Sequence, residues 1–187
     1  NRKKQYSYDA KLGIHSFIDG MPSIGEKYID AKELTKEYLN NGPEQTAKKI
    51  DGSWCALIID EKKKSLYLFR NRYGHIPVYY AKLSDYIFIS SSPGSLVKSK
   101  LINAEYNENI IARYASSNYR ATYGLKQSFF KSISLIEPAT YLIFKSDGSI
   151  TRKQYWIPDL NSNYLNCYNK EIEEKFLDCL TKIIKKY

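Results

Sequence analysis

The thiol and imidazole side chains here, which could act as nucleophiles or soft metal ligands, are three cysteines, Cys55, Cys167 and Cys179, and two histidines, His15 and His75. A cysteine attacks as its thiolate and needs a neighbouring base or a depressed pKa. A structural zinc site needs four ligands, usually in short paired spacings. Neither pattern occurs. The cysteines are odd in number and far apart, with Cys55 inside an apolar run and Cys179 on a helical pattern. They read as buried or free thiols in a reducing compartment. No glycine-rich run of the kind that cradles phosphate is present. Any chemistry must come from polar side chains gathered by the fold, so the elements that would gather them matter more than any single residue.

The chain has 187 residues, 43% hydrophobic and 14% aromatic, enough for a real core and against wholesale disorder. Its net charge of +9 raises nucleic-acid binding. The lysines are scattered, however, at Lys3-Lys4, Lys48-Lys49, Lys62-Lys63-Lys64 and Lys185-Lys186. The triple lysine falls between two strands, where a solvated hairpin tip explains it, so nucleic acid is not the expected partner. No apolar run approaches the ~18 residues of a membrane span, and no signal peptide is visible. The expectation is a cytoplasmic protein, and a chain that opens on Asn1 reads as an excised piece of a longer one.

Leu12 to Ile18 reads as a strand ending in a turn at Asp19-Gly20. Asp30-Ala-Lys-Glu33 has the form of a capping box, and Asn41-Gly42-Pro43 should stop the helix it opens, with a second short helix over Glu44 to Lys49. Trp54 to Ile59 is apolar on both faces, as in a strand buried between two layers. Ser65 to Arg70 returns antiparallel, and Pro77 to Ala81 pairs with Tyr86 to Ser91. Ser92-Pro93 caps a helix, and Glu108 to Ala115 forms another. Phe129 to Glu137, Thr140 to Lys145 and Ser149 to Trp156 read as strands, the last two joined at Ser146-Asp-Gly-Ser149. Pro158 to Asn166 has linker composition. Asn169 to Lys186 is an amphipathic helix with Ile172, Phe176, Cys179/Leu180 and Ile183/Ile184 on one stripe. The order predicts an α+β fold built on antiparallel strands.

Several of these segments resemble the asparagine-synthase family. Ile50-Asp-Gly-Ser-Trp-Cys-Ala-Leu-Ile-Ile-Asp60 is similar to a strand of its class II glutaminase domain. Arg70-Asn-Arg-Tyr-Gly-His-Ile-Pro-Val-Tyr-Tyr80 resembles the family's Arg-Asp-x-x-Gly-x-x-Pro-Leu-Tyr-Tyr. Phe88-Ile-Ser-Ser-Ser-Pro-Gly-Ser-Leu96, Phe130-Lys-Ser-Ile-Ser-Leu-Ile-Glu-Pro-Ala-Thr-Tyr-Leu142 and Tyr155-Trp156 follow in the family's order. The resemblance implies an incomplete Ntn-hydrolase-like sandwich over residues 1–157, a linker at 158–168, and at 169–187 the first helix of a synthetase domain or a docking helix.

The family's glutaminase uses an N-terminal cysteine whose α-amine serves as its base. Here Asn1 stands first, so no catalytic residue is carried over. By the same resemblance Asp19-Gly20-Met21 replaces the Asn-Gly-Glu of the glutamine pocket, which removes an amide donor and puts an anion where negative charge would develop. Tyr28-Ile29-Asp30 stands for Gly-Ser-Asp and keeps only the carboxylate that pairs with the glutamine amine. Asp19, Gly20 and Asp30 are thus the candidate pocket remnant, although Asp30 is also explained as a helix cap. The resemblance implies no metal or cofactor in this chain, with ATP and magnesium expected in the synthetase domain. It implies a non-catalytic scaffold for a ligase, of the kind seen in lasso-peptide cyclases and β-lactam synthetases, whose partner is a synthetase domain in the same or a companion chain. The alternative is a free-standing interaction module, in which the final helix stripe drives partner binding or homodimerisation.

Overall fold

Residue types that alternate inward and outward build most of this molecule. A computed structural model describes residues 4–117, 126–158 and 170–186; most of the expected linker and Cys167 lie outside the described residues. The chain divides into two compact units, Asn1–Trp156 and Ile157–Tyr187. In the second, Lys170–Lys186 forms helix α4.

The first unit carries a seven-stranded antiparallel sheet. Its strands are β1 (Tyr6–Asp9), β2 (Ile14–Ile24), β3 (Lys27–Tyr28), β4 (Asp51–Asp60), β5 (Ser65–Arg70), β9 (Thr140–Lys145) and β10 (Ile150–Gln154), in the order β1-β2-β4-β5-β9-β10 with β3 paired to β2. A second sheet has the order β7-β6-β8, from β6 (Tyr79–Leu83), β7 (Tyr86–Ser90) and β8 (Ser134–Leu135). Helices α1 (Ala31–Lys49), α2 (Pro93–Lys98) and α3 (Glu108–Ser117) complete the unit. The α+β architecture with mainly antiparallel sheets, flanking helices and a C-terminal helix is as expected.

One face of β2 and β4 buries Ile14, Ile18, Trp54, Ala56 and Ile58 with Ala31, Leu34 and Tyr38 of α1. The opposite face of β4, β5 and β9 packs Leu57, Leu66, Leu68, Leu142 and Phe144 against Val78, Ile87, Ile89 and Ile136 of the smaller sheet and its flanks. That sheet's far side holds Ala81, Leu96, Ile102 and Ile133. The layers are therefore helix, sheet, sheet and helix, with the apolar faces of β4, β5 and β9 covered on both sides.

Helix α1 starts on a complete capping box. Asp30 Oδ1 accepts the Glu33 amide at 3.0 Å, and Glu33 Oε2 accepts the Asp30 amide at 3.1 Å. Gly42, at φ 72°, breaks the helical path between two helical stretches, as the Gly-Pro pair predicts. No helix among the described residues is long and apolar enough to cross a membrane.

Three local expectations are corrected. Strand β2 runs straight through Asp19-Gly20, because both pair with β4 opposite Cys55 and Trp54. Only Ser134–Leu135 of the stretch Phe129 to Glu137 is strand; nearby pairing is limited to single bridges at Phe130 and Gln127. Ser92 precedes Pro93 at the start of α2 but makes no side-chain cap bond.

Beneath α1, Tyr38 Oη donates to Asp60 Oδ2 at 2.8 Å, while Lys63 supplies its backbone amide at 2.9 Å and its ammonium at 3.3 Å. Burial pushes the Asp60 carboxyl up, but these donors and the Lys63 charge outweigh it and hold its pKa below the usual carboxylate value. A depressed folded pKa adds stability that is complete above the unfolded value, ~3.9, and is lost as pH falls through the folded one. Asp60→Asn should cost about 2 kcal/mol at pH 7 and flatten the loss of stability below about pH 4. Urea titrations of both proteins at pH 3 to 7 check this; parallel pH profiles would contradict it.

Candidate functional site

Strand β2 carries Asp19 and Gly20, which its period of two sets towards opposite faces, while Asp30 stands at the start of α1. Gly20 lines a cleft of about 460 Å³ with Ile18, Pro22, Ile29, Asp30, Lys4 and Gln5. Asp19 lines a second cleft of about 350 Å³, with Phe17, Cys55, Leu57, Val78 and Ile89 among its walls. The structure therefore brings Gly20 and Asp30 together and places Asp19 in an adjoining cleft that shares Gln5 and Ile18 with the first. Met21 is exposed.

Gly20 is fixed by close approach. Its φ is +99°, and a Cβ there would lie 2.2 Å from the Ser53 carbonyl oxygen, so no larger residue fits. Asp19 Oδ1 accepts the Gly20 amide at 2.9 Å and the Gln5 side-chain amide at 3.1 Å. Asp30 serves the start of α1, and the Ala31 amide donates to the Lys4 carbonyl at 3.0 Å. The donors at that helix end are thus partly used by the protein itself. One basic and one acidic residue border the larger cleft, which suits a small polar ligand. Among the described residues, no thiol or hydroxyl side chain lines it.

Cys55 lies on the other face. Burial first, then the nearby Asp19 carboxylate, push its thiol up to about 11, away from the thiolate a nucleophile needs. Cys179 is exposed on α4. No group of three or more His, Cys, Asp or Glu is placed to hold a metal ion among the described residues.

The segment after β5 is devoted to structure. The Arg70 guanidinium, buried, donates Nε to the Ile76 carbonyl at 3.0 Å, Nη2 to Gly74 at 2.5 Å and Nη1 to Ile136. Asn71 donates to the Gly52 carbonyl at 3.0 Å and accepts the His75 amide at 3.1 Å. Tyr155 Oη closes the corner on the Arg70 carbonyl at 2.9 Å.

The family described as glutamine amidotransferase domain matches residues 27–156. The chain belongs to that family. The match includes Asp30 and the Arg70 corner but begins after Asp19 and Gly20. Asparagine synthetase [glutamine-hydrolyzing] 1 of Bacillus subtilis is 26% identical over 113 residues, 60% of this chain and 17% of that protein. The chain thus spans about a sixth of that curated relative's length. Among solved structures, the glutamine phosphoribosylpyrophosphate amidotransferase of B. subtilis complexed with ADP and GMP aligns at a TM-score of 0.44 and 10% identity, over 84% of this chain and 32% of that one. An allosteric regulatory enzyme of purine biosynthesis aligns at 0.44 and 10%, over 81% and 30%.

For an amidotransferase domain, the residues that the sequence alone did not mark are Lys4, Gln5 and strand β1. The alternation Tyr6-Ser7-Tyr8-Asp9 is the signal that could have shown that strand. Lys4 and Gln5 carry no pattern. They reach the cleft because β1 pairs with β2 and draws the preceding residues across the start of α1.

The Cys55 environment predicts its reactivity. At pH 7.5 iodoacetamide should modify Cys55 at least about 100-fold more slowly than exposed Cys179. Asp19→Asn should speed Cys55 modification. Mass-resolved alkylation kinetics check this, and equal rates at the two cysteines would contradict it.

Proposed function

We propose that this amidotransferase domain is the scaffold of an asparagine-synthase-type, ATP-dependent amide-forming ligase and does not itself hydrolyse glutamine. One observation carries the reading: the candidate pocket residues do not share one cleft, since Asp19 lines the Cys55 cleft while Gly20 and Asp30 line the adjoining one, with Asp30 engaged as the cap of α1. An oxyanion site needs its donors converging on one reacting atom. Here a carboxylate stands where an amide donor would serve, and it lines a different cleft from Asp30.

The partial likeness to an asparagine synthetase supports the choice of ligase. ATP and magnesium would be held by a synthetase domain, not by these residues. A ligase of this kind without its own ammonia supply would use an amine carried by its substrate, as in peptide macrocyclisation or β-lactam closure. Helix α4 supports the scaffold role, because Phe176, Leu177, Leu180, Ile183 and Ile184 are all exposed and would seat on that domain.

The protein expressed from its gene, incubated with millimolar glutamine, should release no glutamate above a protein-free blank, with or without ATP. Sustained release that Asp30→Ala abolishes would overturn the proposal. ATP cleavage to AMP and pyrophosphate that needs an amine other than glutamine or ammonia would support it.

A further inference from the structure

Strand β9 pairs with β5 from Thr140, opposite Arg70, to Lys145, opposite Ser65. At the Lys145 end the two sheets finish side by side, each in a hairpin turn. The β9–β10 turn, Ser146 to Ser149, meets the β6–β7 turn at Ser84-Asp85, and Lys82 Nζ joins them by donating to the Gly148 carbonyl at 2.7 Å. Between the turns lies a cleft of about 350 Å³ whose walls come from residues 82–87 and 144–150. That size is within the ~300–1,000 Å³ of small-molecule sites. The cleft is remote from Gly20 and Asp30, because Asp19, Cys55 and Arg70 are successive cross-strand partners at the other end of the sheet.

Its floor is apolar and its rim carries both signs of charge. Phe144 and Ile87 belong to the core between the sheets, and the Phe144 ring stands edge-on to Tyr80 at 5.4 Å. Lys82, Lys145, Asp85 and Asp147 stand around them. These four are not equally available. Asp147 Oδ1 accepts the Ser149 amide at 2.8 Å, which commits that carboxylate to its own turn. Asp85 borders the cleft from the other hairpin. The Lys82 ammonium has three donors and spends one on Gly148, so two remain for a ligand. Lys145 holds the turn through its backbone, giving its amide to the Ser149 carbonyl at 3.0 Å and accepting from Gly148 at 2.9 Å. Its side chain is left for the cleft.

We propose that this cleft binds a small zwitterion, an α-amino acid with an apolar side chain. Its carboxylate sits between Lys82 and Lys145, its ammonium on Asp85, and its side chain on Phe144 and Ile87. Charge-assisted hydrogen bonds of both signs then hold the two ends of the ligand. A simple anion would meet Asp85 and Asp147, and a simple cation would meet the two lysines. A neutral apolar molecule would strip water from all four charges and pair none of them. A ligand with both charges and an apolar arm satisfies rim and floor together. Because the walls belong to both sheets, an occupant ties the sheets at this end and stabilises the folded form. The inference does not depend on the ligase reading.

The test titrates the whole 187-residue chain, labelled with nitrogen-15, with leucine. The controls are isocaproate, which lacks the ammonium, isoamylamine, which lacks the carboxylate, and glycine, which lacks the arm. Leucine should shift the amides of Ile87, Gly148 and Ser149 with a millimolar Kd, and each control should bind about fivefold more weakly. Asp85→Asn, at an exposed position, should bring leucine down to the affinity of isocaproate, and Lys145→Met should bring it down to that of isoamylamine. Both variants should keep the native amide spectrum elsewhere. No leucine-dependent shift at those amides would overturn the proposal. So would isocaproate binding as tightly as leucine, which marks a plain anion site, or isoamylamine doing so, which marks a cation site. Undiminished leucine binding by a folded Asp85→Asn variant would overturn it as well.

Discussion

A buried guanidinium with no carboxylate partner among the described residues sets the terms for this fold. Burial alone pulls the Arg70 pKa down, so its charge is tolerated only where fixed dipoles replace the water it has lost. The carbonyls of Gly74, Ile76 and Ile136 supply them, from segments far apart in the sequence. Each of those carbonyls would otherwise be a buried or half-buried acceptor left by an irregular loop. One side chain thus fixes the corner after β5 and the approach to β9 together. Gly74 is required within it, since a Cβ there would lie 2.9 Å from the Arg70 Cζ and its φ is +64°.

The neighbouring Asn71 extends the same device. Its amide reaches the Gly52 carbonyl, and its backbone oxygen accepts from Gly74 and Ala139. The start of β4, the corner and the entry to β9 are therefore held as one piece. That piece places the two sheets across from each other, and it ties down the start of β4, whose pairing with β2 presents Gly20 to one cleft and Asp19 to the other. The family's most recognisable residues here maintain architecture, and the clefts depend on it from a distance.

Much of this was legible in the sequence, for local reasons. The β4–β5 hairpin, the β9–β10 hairpin, the capping box at Asp30 and the break at Gly42 each follow from side chains within a few residues of one another. The errors arose where distant contacts decide. Asp19-Gly20 has the composition of a turn, but ten residues of β4 pair with β2 across it and outweigh the local preference. Phe129 to Glu137 is apolar enough for a strand, yet Ile136 spends its carbonyl on Arg70 and its amide on the Val78 carbonyl. The candidate site was legible as a set of residues but not as a geometry. Whether Asp19 and Asp30 share a cleft depends on strand parity across β2, which a turn placed at residue 19 conceals.

The direct test of this account is the stability of Arg70→Lys. Lysine keeps the charge but cannot span three carbonyls set at the corners of a planar fork. The account predicts a fall of about 2–4 kcal/mol in unfolding free energy by urea titration, the cost of leaving buried carbonyls without donors. A lysine variant as stable as the native chain would show that the corner does not depend on the guanidinium, and would contradict the central claim.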